Sequence, residues 1–242
     1  MLNLLSRKRT LKSADFFSGL TDCHSHILPG VDDGIKSEEE ALKVLAEYET
    51  MGVERVILTP HIMELYSSND ARSLISRFDE FKKVYFGKIK LSLGAEYMLD
   101  SGFEEHLSSG KLLTLWDNYL LVETSYLQPP TNMLETLCEI RSKGYFVVLA
   151  HPERYGYMQR DKYGELKRDG VLFQLNLLSL SGYYGRQVRD TALYLLKNDM
   201  YDLIGSDLHN LRAFKEWMPA IKLAPKLMAK LQRLKKVKIN SI

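Results

Sequence analysis

The chain has 242 residues, of which 45% are hydrophobic and 26% are charged, a balance typical of folded globular proteins and not of disordered chains. Its formal net charge of +2 is nearly neutral, so the composition gives no indication of a basic face that binds nucleic acid. Two isolated cysteines exclude a disulfide framework, and no apolar run reaches the roughly 18 residues of a membrane helix. We therefore expect a cytoplasmic protein without a membrane span.

Short apolar segments alternate with helical patterns along the chain, after a basic extension at residues 1–18. Seven segments are rich in Val, Ile, Leu or Tyr and mostly unbroken in apolar character, as buried parallel strands are. These predicted strands cover residues 19–23, 55–59, 90–95, 119–123, 146–150, 172–176 and 203–205. Ser37 and Glu40 form a capping box for the first predicted helix, and Gly52 ends it. The predicted helices cover residues 37–51, 70–85, 131–143, 184–198 and 219–235.

The interleaving of seven strands with helices favours a single parallel α/β barrel over residues 19–242, with an open sheet as the remaining alternative. The sequence has no glycine-rich dinucleotide loop to mark an open doubly wound sheet. Barrels of this kind gather the residues that follow their strands at one face, where their active sites lie. Side chains that are far apart in the sequence are thus expected to meet.

Histidines and acidic residues stand where the predicted strands end, in segments spread over nearly two hundred positions. Neutral imidazole and carboxylate together form the mixed ligand set that suits manganese, iron or zinc. His24 and His26 are two residues apart at a strand end, so both side chains project to the same side and can bind one cation. The pattern predicts a multinuclear metal site in a metal-dependent hydrolase. Its candidate residues are Asp22, His24, His26, His61, Glu96, Glu123, His151, Asp207 and His209.

The segment around the first two histidines resembles a known family. Residues 22–34 read DCHSHILPGVDDG, which resembles the opening motif of the polymerase and histidinol phosphatase (PHP) superfamily. Within that superfamily, LPGVDDG resembles the bacterial protein-tyrosine phosphatases of capsule and exopolysaccharide operons, the CpsB/CapC type. The resemblance continues through TPH at 59–61, GAE at 94–96, AHPER at 150–154 and SDLHN at 206–210. It implies the PHP fold, a distorted TIM-like barrel of seven βα units, with a cluster of three divalent metal ions, commonly manganese.

The resemblance also implies which residues hold the three ions. His24, His26, Glu96 and Asp207 would hold the first. The second would be held by Glu96, as a bridging ligand, together with Glu123 and His151. The third would be held by Asp33, His61 and His209. Four carboxylates do not neutralise three divalent ions, and the remaining positive charge favours an anionic substrate.

By resemblance, the expected activity is that of a protein-tyrosine phosphatase that attacks phosphorus with a metal-activated hydroxide. The expected partner is the tyrosine-rich tail of a kinase that controls polysaccharide export. Arg154 matches the phosphate-binding arginine of the family, and Arg212 is a weaker match for a second one. His209 or His61 would supply a proton to the leaving group.

Other functions fit parts of the sequence. The same metal site would serve a small phosphomonoester such as a sugar phosphate or histidinol phosphate. A nuclease or polymerase-associated module predicts a basic groove, which the near-neutral charge does not favour. A non-enzymatic metal-binding regulator is disfavoured by the complete ligand set. A cysteine phosphatase needs an arginine six positions after its cysteine, but Pro29 and Gly144 stand there after Cys23 and Cys138. The sequence leaves the oligomeric state open.

Several residues near the predicted ligands have either a structural or a functional interpretation. Asp22 and Asp32 lie near the predicted ligands, but a role in orienting ligands or capping the backbone is not the favoured interpretation of either. Five tyrosines fall in loops of the expected catalytic face, where some simply pack and one or two would flank an aromatic phosphoester or guide a peptide. They are Tyr126, Tyr155, Tyr157, Tyr183 and Tyr184.

Overall fold

Strands and helices alternate across residues 8–235, which are the residues that the computed structural model describes. The first seven residues of the predicted extension and the last seven of the predicted 19–242 domain lie outside them. The strands are β1 Arg9–Thr10, β2 Thr21–Asp22, β3 Arg55–Leu58, β4 His61–Ile62, β5 Lys90–Leu93, β6 Glu96–Met98, β7 Tyr119–Glu123, β8 Phe146–Ala150, β9 Leu172–Asn176, β10 Leu203–Gly205 and β11 Lys222–Leu223. The α-helices are α1 Glu38–Met51, α2 Ala71–Val84, α3 Phe103–Ser109, α4 Met133–Ser142, α5 Arg160–Arg168, α6 Arg186–Lys197, α7 Leu211–Trp217 and α8 Pro225–Leu234.

The central strands pair in parallel and form a half-barrel in a mixed α/β fold. Six pair in the order β10-β9-β8-β7-β6-β4, and three pair in the order β2-β3-β5. The backbone N–H of Cys23 donates to the carbonyl oxygen of Ile204 at 3.1 Å, so the chain after β2 also lies beside β10. The predicted α/β class with parallel strands is confirmed, and β7 to β10 have the predicted ends.

Two predicted strands continue beyond a break and pass from one sheet to the other. β3 gives way to β4 at Pro60, which has no N–H for a strand ladder. β5 gives way to β6 at Gly94, where a Cβ would lie 3.1 Å from the carbonyl oxygen of Thr114. The sequence patterns did not predict β4 and β6. Their parallel register pairs His61 with Glu96, which brings two predicted ligands side by side.

The helix ends follow local side-chain chemistry. Ser37 precedes α1, its Oγ accepts the backbone N–H of Glu40 at 3.2 Å, and Gly52 ends the helix with a φ of 83°. At α2, the Asp70 carboxylate accepts the Ser73 N–H at 2.7 Å while the Ser73 hydroxyl accepts the Asp70 N–H at 3.0 Å, a complete capping box. The first four predicted helices are confirmed to within two residues at each end.

The C-terminal prediction of one helix over 219–235 is wrong. The chain instead forms a 3₁₀ helix at Met218–Ala220, then β11, and α8 begins only at Pro225, which suits the first helical position. The helices α3, α5 and α7 were missed because their seven to nine residues span fewer than three turns, too few to give a clear periodic pattern. No helix within residues 8–235 is long and apolar enough to span a bilayer.

Part of the predicted N-terminal extension packs against the core. β1 pairs antiparallel with β11, and Leu11 and Phe16 are buried among core side chains. The Phe17 ring meets that of Phe214 with centroids 6.3 Å apart. These apolar residues indicated that part of the segment packs against the core, although its overall composition is basic. The domain boundary at residue 19 stays a prediction.

Candidate metal centre

The nine ligands that the resemblance implies lie together where β2, β3, β5, β7, β8 and β10 end, with His61 and Glu96 beginning β4 and β6. Asp33, in the loop between β2 and α1, is the exposed member, with 58% of its side chain accessible. Six members are almost completely buried and come from segments that are distant in sequence. The six are His24, His26, Glu96, Glu123, His151 and Asp207.

The ligand atoms form three groups, within each of which the atoms lie less than 4.8 Å apart. The groups are His24-His26-Glu96-Asp207, His61-Glu96-Glu123 and His26-Asp33-His61-His209. The first has the predicted composition, and the third adds His26 to the predicted set. In the second, His61 stands where His151 was predicted. The Nε2 of His151 lies 2.9 Å from Glu96 Oε1 but 3.8 Å from Glu123 Oε2.

Glu96 is the centre of the cluster. Its Oε2 lies 3.1 Å from His24 Nε2, 3.2 Å from His26 Nε2 and 3.2 Å from His61 Nδ1. Its Oε1 lies 2.9 Å from the Nε2 of His151. The Glu96 carboxylate therefore faces four imidazoles. Of these, His24 belongs to the first ligand group and His61 to the second.

Three buried carboxylate oxygens in this cluster accept no hydrogen bond from the described residues. They are Glu96 Oε2, Glu123 Oε1 and Asp207 Oδ1. Imidazole nitrogens lie 3.0 to 3.4 Å from these oxygens but without the geometry of a hydrogen bond. A buried charged oxygen that accepts no hydrogen bond costs on the order of several kcal/mol. All three atoms point into the ligand groups, where a divalent cation would satisfy them. The residues present therefore fit a metal centre.

The charges within the cluster shift the pKa values of its carboxylates and imidazoles. Burial alone would raise the pKa of Glu96, but the charge of His24 and its neighbours outweighs burial and holds that pKa well below its usual range. The pKa of Asp207 is held low in the same way by His24 and His209. Burial opposes charge on His24, yet Glu96 and Asp207 raise its pKa to about 9. The cluster thus favours the ionised forms of Glu96 and Asp207.

The outer nitrogens of two imidazoles are held by further side chains. His24 Nδ1 lies 2.9 Å from Gln174 Oε1, and His26 Nδ1 lies 2.8 Å from Asp32 Oδ2. The same Asp32 oxygen accepts the backbone N–H of His61 at 3.0 Å. Such partners fix the orientation of a ligating ring. This contact suits Asp32 to orient His26, although the sequence did not favour that role.

Asp22 and Gln174 form hydrogen bonds with the residues around the ligands. Asp22 accepts the Ser206 N–H at 2.8 Å and the Tyr48 hydroxyl at 3.1 Å, so it ties β2 to α1 and to the loop after β10. Gln174 was missed in the sequence. The available signal was a polar residue inside β9, whose neighbours in the strand are apolar.

The backbone is fitted closely around two histidines. A Cβ on Gly205 would lie 2.4 Å from His24 Cβ, and a Cβ on Gly34 would lie 2.2 Å from the carbonyl oxygen of His26. His151 and Asp207 have φ angles of 32° and 51°, in the left-handed region that few side chains adopt. Such strain persists where the surrounding structure enforces it and is common at functional sites.

Arg154 lies at the edge of the cluster, in the 3₁₀ helix Pro152–Arg154 that follows β8. Its Nη1 donates to Asp207 Oδ2 at 2.8 Å. Its guanidinium carbon lies 4.3 Å from the ring centre of Tyr126 and 4.2 Å from that of Tyr184. Arg212 is exposed in α7 and is not among the residues that line the pocket, so its phosphate contact stays a prediction.

A pocket of about 280 Å³ opens above the cluster. His61 and His209 both line it, and 28% of the His209 side chain is accessible against 9% for His61. The other residues that line the pocket include predicted ligands and tyrosines from several loops. It comprises Asp33, Glu96, Tyr126, His151, Arg154, Leu178, Tyr183, Tyr184, Asp207, Asn210 and Ala213.

Known proteins resemble this chain over most of its length. A family model described as capsular polysaccharide synthesis, CpsB/CapC, matches residues 20–238. The tyrosine-protein phosphatase CpsB of Streptococcus pneumoniae is 32% identical over 216 residues, which cover 82% of this chain and 86% of that protein. The tyrosine-protein phosphatase YwqE of Bacillus subtilis (strain 168) is 27% identical over 199 residues, which cover 80% of this chain and 78% of that protein.

A solved structure has the same fold. It belongs to the pair YwqE from Bacillus subtilis and CpsB from Streptococcus pneumoniae, described as unique metal-dependent tyrosine phosphatases. The similarity covers 90% of this chain and 96% of that chain, with a TM-score of 0.75 and 24% identity. At this identity the likeness establishes the fold alone.

Proposed function

This chain belongs to the CpsB/CapC family of capsular polysaccharide synthesis proteins, and on that premise we propose that it is a metal-dependent phosphatase that hydrolyses phosphotyrosine in proteins. The observation that carries the proposal is the cluster of imidazoles and carboxylates in which three buried carboxylate oxygens have no hydrogen-bond partner. Metal-dependent hydrolysis of a phosphate ester is the chemistry that such a nitrogen and oxygen ligand set supports. The names of the curated relatives agree with it.

The proposed cofactor is three divalent ions, with manganese as the first choice and iron or zinc as alternatives. The first ion would be held by His24, His26, Glu96 and Asp207, the second by Glu96, Glu123 and His151, and the third by Asp33, His61 and His209. The position of Glu96, whose two oxygens face different imidazoles, supports a bridging role. His61, at 3.0 Å from Glu123 Oε1, is a further candidate ligand of the second ion.

Divalent ions bound here would make water a nucleophile near neutral pH and offset the charge of a phosphate. Arg154 would bind the non-bridging phosphate oxygens, because guanidinium pairs well with phosphate and one of its nitrogens alone is engaged by Asp207. His209 or His61 would donate a proton to the departing tyrosine oxygen. The greater accessibility of His209 supports it as the donor.

The proposed substrate is a phosphotyrosine protein, and we propose the tail of a tyrosine kinase that regulates capsule or exopolysaccharide synthesis. The family description supports a role in capsular polysaccharide synthesis. Tyr126 and Tyr183 line the pocket and are 38% and 42% exposed, so both are accessible to a side chain presented by a protein. Both cysteines are free, which agrees with the predicted cytoplasmic location.

We further propose that the two parallel sheets close into the distorted barrel of seven βα units expected of the PHP fold. The N–H of His26 donates to the Leu208 carbonyl oxygen at 3.1 Å, and Ser25 forms a parallel bridge with Leu208. These contacts support closure between the chain after β2 and the chain after β10.

Metal analysis coupled to activity assays tests the proposed function. The purified protein is stripped with a chelator, reloaded with Mn²⁺, Fe²⁺ or Zn²⁺, and assayed on a phosphotyrosine peptide, a sugar phosphate and histidinol phosphate. We expect metal-dependent phosphate release with the highest kcat/KM on the peptide. A higher kcat/KM on histidinol phosphate or the sugar phosphate would assign the alternative substrate class. No turnover in any metal-loaded sample would refute the phosphatase.

A further inference from the structure

We infer that Tyr126 and Tyr184 are positioning residues, which hold the Arg154 guanidinium over their rings in the orientation that binds phosphate. The inference deepens the proposed function and rests on it. The guanidinium carbon lies 4.3 Å from one ring centre and 4.2 Å from the other, well within the distance of a cation–π contact. A guanidinium that lies over two aromatic rings at once has little freedom to move.

The two rings come from different parts of the catalytic face. Tyr126 follows β7 and Tyr184 follows β9, whereas Arg154 follows β8, the strand between them. Only 16% of the Arg154 side chain is accessible, and removal from water strengthens a cation–π contact. The arginine therefore ties the loops of three adjacent strands together above the metal cluster.

An ion pair further restricts the rotation of the guanidinium. Nη1 donates to Asp207 Oδ2, and no other guanidinium nitrogen has a hydrogen-bond partner among residues 8–235. Asn176 Nδ2 donates to the same Asp207 oxygen at 2.7 Å and to the Tyr184 hydroxyl at 3.2 Å. Asp207 Oδ1 is left without a partner, facing the cluster. Asp207 thus presents one oxygen to Arg154 and the other to the site of a cation.

This arrangement leaves the remaining guanidinium nitrogens for an incoming phosphate. Bidentate recognition of phosphate requires the planar fork to point correctly, and a long side chain that is free to rotate loses entropy when it binds. The rings also keep Arg154 from turning towards the other carboxylates of the cluster. Preorganisation of this kind raises phosphate affinity without adding a contact to the substrate.

The binding of inorganic phosphate to the manganese-loaded protein tests the inference by calorimetry, with the KM of p-nitrophenyl phosphate as a second readout. Tyr126→Leu and Tyr184→Leu are each expected to weaken phosphate binding about three- to thirtyfold, the range of a single cation–π contact. Tyr126→Phe keeps the ring and is expected to retain affinity within about twofold. Tyr184→Phe keeps the ring but removes the hydroxyl that accepts from Asn176, so its loss is expected to be smaller than that of Tyr184→Leu. Metal content measured by mass spectrometry is expected to stay unchanged in all four.

Tyr119→Leu is the matched control. Tyr119 begins the strand that Tyr126 follows, and it stacks between Trp116 and Phe146, with centroids 4.9 Å apart on each side. Its loss removes a ring held between two neighbours but leaves Arg154 untouched. Phosphate affinity is expected to stay that of the parent protein, with thermal melting to check that each variant is folded.

A double-mutant cycle decides whether the rings act through the arginine. In an Arg154→Ala background, Tyr126→Leu is expected to change phosphate affinity less than twofold. An equal loss in the two backgrounds, or no loss in the parent background, would overturn the inference. If the cycle behaves as expected but no phosphomonoester is hydrolysed, the positioning of an anion-binding arginine stands and the proposed function fails.

Discussion

Replacing Glu96 with glutamine tests the metal centre at the residue on which most of it depends. The substitution keeps the shape of the side chain and removes its charge. Glu96 belongs to two of the three ligand groups, whereas the group His26-Asp33-His61-His209 does not include it. Glu96→Gln is therefore expected to weaken two cation sites and to leave the third in place.

The size of the effect follows from binding linkage. A cation at one hundred times its Kd stabilises the folded state by about 2.7 kcal/mol per site. For a chain of about this length, that free energy raises the Tm by about 5–11 °C. If the three sites contribute equally, Glu96→Gln should keep about a third of the Mn²⁺-dependent rise in Tm, together with about a third of the bound metal. Phosphatase activity should fall by more than about 100-fold, because substitutions even outside the ligand shell cost up to that factor.

Thermal melts with and without Mn²⁺, together with metal analysis by mass spectrometry, measure both quantities. Glu38→Gln is the control, because Glu38 is an exposed carboxylate in the first turn of α1 and belongs to none of the ligand groups. The control is expected to keep the full Mn²⁺-dependent rise. Parent-like metal content and an undiminished rise in Glu96→Gln would show that Glu96 is not a ligand.

Three further substitutions test other parts of the structure. Asp32→Asn weakens the contact that orients His26 and should lower kcat/KM on a phosphotyrosine peptide about 10- to 100-fold; parent-like kinetics would exclude an orienting role. Gly205→Ala forces a methyl group against His24 and should cost about 1–3 kcal/mol in urea unfolding with a loss of bound metal, so an unchanged midpoint and metal content would contradict the close fit. Asp70→Ala removes the cap of α2 and should cost about 1 kcal/mol at neutral pH. The Ser73 N–H holds the pKa of Asp70 below its ordinary 3.8, so this stabilisation is complete above the unfolded pKa and is lost as the pH falls through the folded value. Urea unfolding at several pH values should show the difference in unfolding free energy between variant and parent shrinking on acidification. A constant difference would argue against the charged cap.

The parts of the fold that the sequence predicted are those that local patterns encode. β7 to β10 are mostly apolar runs, interrupted inside a strand only by Gln174 of β9, and their ends were found. β4 and β6 have two and three residues and lie just beyond Pro60 and Gly94, where the patterns suggested that strands stop. The short helices α3 and α7 carry too few turns for periodicity to be visible.

The same distinction applies to the site. Motifs at strand ends identified the residues that meet in the cluster, because parallel strands align their carboxyl ends whatever the detailed register. The contact of Gln174 with His24, across 150 positions, depends on the side of β9 from which the side chain projects and on the approach permitted by Gly205. The closer approach of His61 than His151 to Glu123 depends on the breaks that create β4 and β6. Neither follows from spacing along the chain.

The tyrosines around the pocket have separable roles, and this bears on how substrates are distinguished. The Tyr155 hydroxyl donates to the backbone of β8, and Tyr126 and Tyr184 are engaged by Arg154. Tyr183 is 42% exposed and packs edge-on against Tyr184 and Trp217, so it retains a ring surface for a substrate. Arginine and cations would contact the phosphate, which is the same group in every phosphomonoester. Discrimination between an aromatic and an alkyl ester must therefore arise beyond the phosphate, and Tyr183 is the tyrosine of this group best placed to provide it.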